Sequence, residues 1–165
     1  YTLSLDRRAS RERVYAFSVL PLTGCASFTS QTPEQKVAFV QQVSPAVESA
    51  AKAAAYLALK DQPKTTIAAV DGIAATVQSF IQGQTEIDSQ TVRAIVDQAF
   101  AKANVNEQVV LIAQPLINGV AELAVNYVEA RANTYSLTIQ QKHEASLALT
   151  SRALAGLRQA CAELK

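Results

Sequence analysis

With 165 residues, 49% of them apolar, the chain is long enough for one domain with a modest core. Charged residues make up only 18% and the formal net charge is +1. That balance argues against a nucleic-acid partner, because phosphate binding needs a clustered positive field. Two cysteines, Cys25 and Cys161, are too few for a disulfide scaffold or a four-ligand zinc site.

The chain begins at Tyr1 and contains no Met, which reads as a processed or truncated product or as a sequence whose true start has been lost. Its first thirty residues differ from the rest. Arg7, Arg8, Arg11 and Arg13 form a basic stretch, and Val14 to Leu22 form an apolar one. Beyond Cys25 the balance is 11 Lys plus Arg against 12 Asp plus Glu, so the basic character sits at the start. Basic, then apolar, then small is the plan of an export signal: positive charge stays on the cytoplasmic side while a short apolar helix enters the bilayer.

The run Leu22-Thr23-Gly24-Cys25 that closes this segment resembles the lipobox of bacterial lipoproteins, in which an apolar residue and two small ones precede a Cys. The resemblance covers roughly residues 7–26. It implies that the Cys25 thiol receives diacylglycerol and becomes the new N-terminus. It also implies that the partner is a lipid bilayer and that the location is the cell envelope, on the periplasmic face of the outer membrane or at the cell surface. Ala26 suits delivery to the outer membrane. The alternative is an extended N-terminal arm whose Cys25 is free or disulfide-bonded. Residues 1–30 are accordingly separated from a body at 31–165.

The body reads as all-α, an up-and-down bundle of about five to six helices with a long C-terminal one. Thr32-Pro33-Glu34-Gln35 has the order of a capping box with Pro at the first helical position. Ser44-Pro45 repeats the cap-then-Pro signal and predicts a second helix through Lys60, rich in Ala and Leu. A third helix is predicted from about Thr65 to Gln82, with Ile67, Val70, Ile73, Ala74, Val77, Phe80 and Ile81 at helical spacing and Gly83 ending it. Asp88 caps a fourth. Asn104 ends that helix in a left-handed conformation, and Asn106 caps the next.

The segment from Glu107 to about Arg131 is apolar on more than one face, which predicts a central position in the bundle. Pro115 should kink or split it. Gln114, Asn118, Gly119 and Glu122 interrupt it too often for a membrane span. The last helix is predicted over roughly Tyr135 to Leu164. In it Leu147, Thr150, Leu154, Leu157, Cys161 and Leu164 recur at spacings of 3, 4, 3, 4 and 3, an a/d seam. The seam packs inside the bundle or pairs with another chain. Gly156 weakens this helix but admits another backbone closely.

Chemistry is sparse. His143 is the only histidine and reads as a partly exposed helix-surface residue. Cys161 lies 18 residues further along, about 27 Å at 1.5 Å per residue, so the two cannot meet within a continuous helix. Cys161 reads as a small buried apolar residue, or as the disulfide partner of Cys25. Asp71 is expected on the solvent side of its helix. No phosphate loop, dinucleotide fingerprint, CxxC or HExxH is present. No catalytic residue, metal or cofactor is assigned.

The expectation is a non-enzymatic, membrane-tethered helical module with a structural or binding role. The alternative is a self-assembling structural protein whose N-terminal arm and last helix make subunit contacts. A protein partner or a homo-oligomer is open in either reading.

Overall fold

Local capping chemistry sets where most of the helices begin. The computed structural model describes residues 33–165. The expectations for residues 1–32, the Cys25 lipidation site and the Thr32 cap among them, lie outside the described residues. Five helices follow one another: α1 (Pro33–Leu59), α2 (Lys64–Gln82), α3 (Ser89–Ala103), α4 (Glu107–Ala132) and α5 (Ile139–Leu164). The fold is all-α, with no strand among the described residues.

The Asp88 carboxylate accepts the Thr91 N–H at 2.7 Å, and the Asn106 side chain accepts the Val109 N–H at 2.9 Å. Each satisfies a backbone donor that has no partner inside its own helix. Asn104 takes φ 45° and ψ 45°, the left-handed conformation that stops α3. Thr138 and Gln141 complete a reciprocal capping box at the start of α5.

Two predicted boundaries are corrected, and of the kink or split expected at Pro115 the split does not occur. The two helices expected before Lys60 are one, because α1 runs unbroken through Pro45. Pro115 likewise leaves α4 undivided. A proline inside a helix removes one N–H donor and frees the carbonyl four residues earlier. Pro45 and Pro115 are both exposed, as are Gln41 and Leu111, so water reaches the freed carbonyls on the outer face. The packed inner faces hold the helices together on either side. The last helix begins at Ile139 rather than near Tyr135. Residues 133–138 form a turn in which Tyr135 is buried and Ser136 takes a positive φ of 49°. Gly83 ends α2 without using a left-handed conformation, its φ being −86°.

Side-chain pairs give the directions. Gln78 meets Ser151 and Asp71 meets Arg158, so α2 and α5 are antiparallel. Ser89 meets Asn126, Arg93 meets Glu122 and Asp97 meets Gln114, so α3 and α4 are antiparallel. Glu48 meets Gln159 while Lys52 meets Glu163, so α1 and α5 run parallel. Short connections thus reverse the chain four times, and the first and last helices lie side by side in the same direction.

The most extensive packing is that of α5, and the more apolar α4 touches each of the other four helices. Helix α5 packs on α1, α2 and α4, while α3 closes against α2 and α4. The apolar girth of α4 is only partly covered, and part of it faces outward. Val109, Ala113, Ile117, Val120, Ala124 and Val128 of α4 are buried, but Leu111 and Leu123 are 70% and 52% exposed. By length and composition alone α4 is apolar enough to cross a membrane. In this bundle one of its sides is part of the core.

The α1–α5 contact is built on small residues. Ala51 and Ala55 of α1 and Ala153, Gly156 and Ala160 of α5 are buried. A Cβ added at Gly156 would lie 2.1 Å from the Glu48 carbonyl oxygen. The two backbones touch there, as only glycine permits.

Candidate functional site

The a/d seam of α5 belongs to the interior. Leu154, Leu157 and Cys161 are fully buried, whereas Leu147 and Leu164 are half-buried at its two ends. A self-assembly seam along α5 would therefore retain only those two residues. Cys161 is a free thiol. Burial, reinforced by the Asp71 carboxylate, pushes its pKa up to about 11, which leaves it a poor nucleophile. The hydroxyls of Ser146 and Thr150, on the same inward face, make no hydrogen bond.

His143 lies at the opposite end of α5, half-buried in a shallow cleft with Glu86, Ile139 and Glu144. Its Nδ1 accepts the Ile87 N–H at 3.3 Å, which ties the first turns of α5 to the α2–α3 connection. Among the described residues no group of three or more His, Cys, Asp or Glu side chains is placed to hold a metal ion.

Asp71 is not a solvated surface carboxylate. It is half-buried, and it receives Arg158 at 3.1 Å on one oxygen and Lys165 at 2.5 Å on the other. Arg158 also reaches Gln78. Partial burial opposes ionisation of Asp71, but the hydrogen bonds and charges of Lys165 and Arg158 outweigh it and hold the carboxyl below its ordinary value. A lowered folded-state pKa gives stability that is present above the unfolded value and lost as pH falls through the folded one.

Asp71→Asn is therefore expected to lower stability at pH 7, and the difference from wild type should shrink as pH falls below the ordinary carboxylate range. The two cations are about two-fifths exposed. Solvent screening then limits each pair to roughly 0.2–1 kcal/mol. Urea unfolding of the two proteins at pH 7 and pH 3 checks both the sign and the size.

The surface feature that stands apart is the outer side of α1 and α4. Ala50, Ala54, Leu116, Gly119 and Leu123 border a groove of about 210 Å³ between the two helices, with Pro115 at its edge. Leu57 continues the α1 side and Leu111 the α4 side, at 68% and 70% exposure. Singly exposed leucines are ordinary, whereas several on one continuous apolar face mark a contact surface.

Two of the charges bordering this face are neutralised within the chain, while Glu107, one turn before Leu111, is exposed. Lys52 pairs with Glu163 on the α1 side, and Arg93 pairs with Glu122 on the α4 side. Sequence reasoning missed this surface. The signal was the second apolar face of the segment after Glu107, which was read as evidence for a central position. Comparison with family models, with curated proteins and with solved structures finds no match.

Proposed function

We propose that this chain is a lipid-anchored, non-enzymatic helical module of a bacterial or phage-encoded cell-envelope system, tethered to a bilayer through acylated Cys25. The observation that carries this reading is the order of arginines, apolar stretch and Leu22-Thr23-Gly24-Cys25, placed eight residues ahead of Pro33, where α1 begins. Diacylglycerol alone supplies two acyl chains, which meets the requirement of two apolar anchors for stable attachment. The bundle is the structural or binding body. Its unpartnered α1–α4 face supports a contact role, and its one histidine stands apart from its one buried thiol.

The test is expression of the full chain in a bacterium, followed by fractionation and intact-mass measurement. The wild type should partition with membranes, begin at Cys25 and carry acyl mass there. Cys25→Ser should be soluble and unmodified. A wild-type product that is soluble, retains residues 1–24 and lacks acyl mass overturns the proposal.

A further inference from the structure

We infer that the outer face of α1 and α4 is a lipid-contact face, so that the tethered bundle lies with these two helices along the bilayer surface. This rests on the tether proposed above. Pro33 is eight residue steps from Cys25, which span at most about 26–29 Å when fully extended. From Pro33, the stretch Ala50 to Leu57 lies roughly 25–36 Å further along the α1 axis. A bundle held this close can reach the bilayer by tilting onto its side. The anchor then presents lipid to the face at a high effective concentration, so that even a weak contact is occupied.

The composition of the face suits lipid. Leu57, Leu111 and Leu123 project from a floor of Ala50, Ala54 and Gly119. Lys52 and Glu122 at its edges are paired within the chain, and the one carboxylate in line with Leu111, Glu107, sits a full turn beyond it at the N-terminal end of α4. Tyr56, 43% exposed at the α1 edge, is amphipathic in the way interfacial residues are. Pro115 frees the Leu111 carbonyl on this face, and that carbonyl still needs water. The contact is therefore at headgroup depth and not in the hydrocarbon.

The absence of Trp from the chain makes the test direct. Leu57→Trp, Leu123→Trp and, as a control on exposed α3, Gln98→Trp would be purified in the acylated form. Each is reconstituted into phosphatidylethanolamine–phosphatidylglycerol vesicles with brominated acyl chains, with circular dichroism confirming the fold. The first two variants should shift their emission to the blue and lose intensity to bromine, and Gln98→Trp should do neither.

Equal behaviour of all three variants overturns the inference. So does a blue shift at Leu57→Trp and Leu123→Trp without bromine quenching, which would mean that a second copy or another protein covers the face. The intact mass of the same samples reports the tether separately. If Cys25 carries no acyl group, the anchor reading fails. The face is then read from the unmodified variants with vesicles in excess, where bromine quenching confined to the two leucine positions supports lipid contact and its absence overturns it.

Discussion

Replacing Gly156 with alanine is expected to destabilise the bundle, although alanine is by far the better helix former. The added Cβ would lie 2.1 Å from the Glu48 carbonyl oxygen and 2.9 Å from its carbonyl carbon. A carbon and an oxygen in contact sit about 3.3–3.6 Å apart, so α1 would have to retreat by more than an ångström along its main contact. Both obstacles are backbone, and no rotamer change relieves them. Overpacking of this kind costs about 1–3 kcal/mol and occasionally more, while helix propensity returns at most about 1 kcal/mol.

Gly72, in the exposed middle of α2, is the matched control, since a Cβ there meets nothing within 4 Å. Gly72→Ala should stabilise by roughly 0.5–1 kcal/mol. Thermal unfolding of the two variants should therefore move in opposite directions, by about 2–8 °C for every kcal/mol. A Gly156→Ala protein as stable as wild type would show that the two backbones do not touch.

A second large effect is expected at the middle of α5. Leu154 and Leu157 are fully buried. Truncating such a leucine to alanine costs about 2–5 kcal/mol, and glutamate adds the desolvation of a charge with no partner. Domains of this size are stable by only about 5–15 kcal/mol. Leu157→Glu should consequently abolish cooperative unfolding and near-ultraviolet dichroism. Its chromatographic behaviour should be that of an unfolded or aggregated chain. Conversion of a wild-type oligomer into a well-folded Leu157→Glu monomer would instead place the seam between chains.

Features that depend on neighbours in the chain were legible in the sequence. Asp88, Asn104 and Asn106 act where their residue types predict, because a cap is settled by hydrogen bonds three residues away. Gly156 was readable as a point of close approach, since a glycine inside a strong helix pattern has few other uses.

What failed was whatever depends on surroundings. Ser44-Pro45 carries the signature of a helix start, yet its Ser44 hydroxyl donates back to the Val40 carbonyl at 3.3 Å and the helix continues. Asp71 in an apolar helix gives no hint that Arg158 and Lys165, some ninety residues away, converge on it. The α4 segment shows two apolar faces, and nothing local says which of them the rest of the chain covers. Thr138 and Gln141 had the spacing of a capping box, yet the expected start lay three residues ahead of Thr138, at Tyr135.

The side-by-side arrangement of α1 and α5 has a consequence for synthesis. Among the described helices α1 finds its main partner in α5, and Leu164 follows Leu59 by 105 positions. At about 5–20 residues per second, α1 waits roughly 5–20 s after leaving the ribosome before that partner exists. During this interval the nascent chain cannot close its interior, and the alanine-rich first helix stays open to any factor that captures unfinished polypeptides.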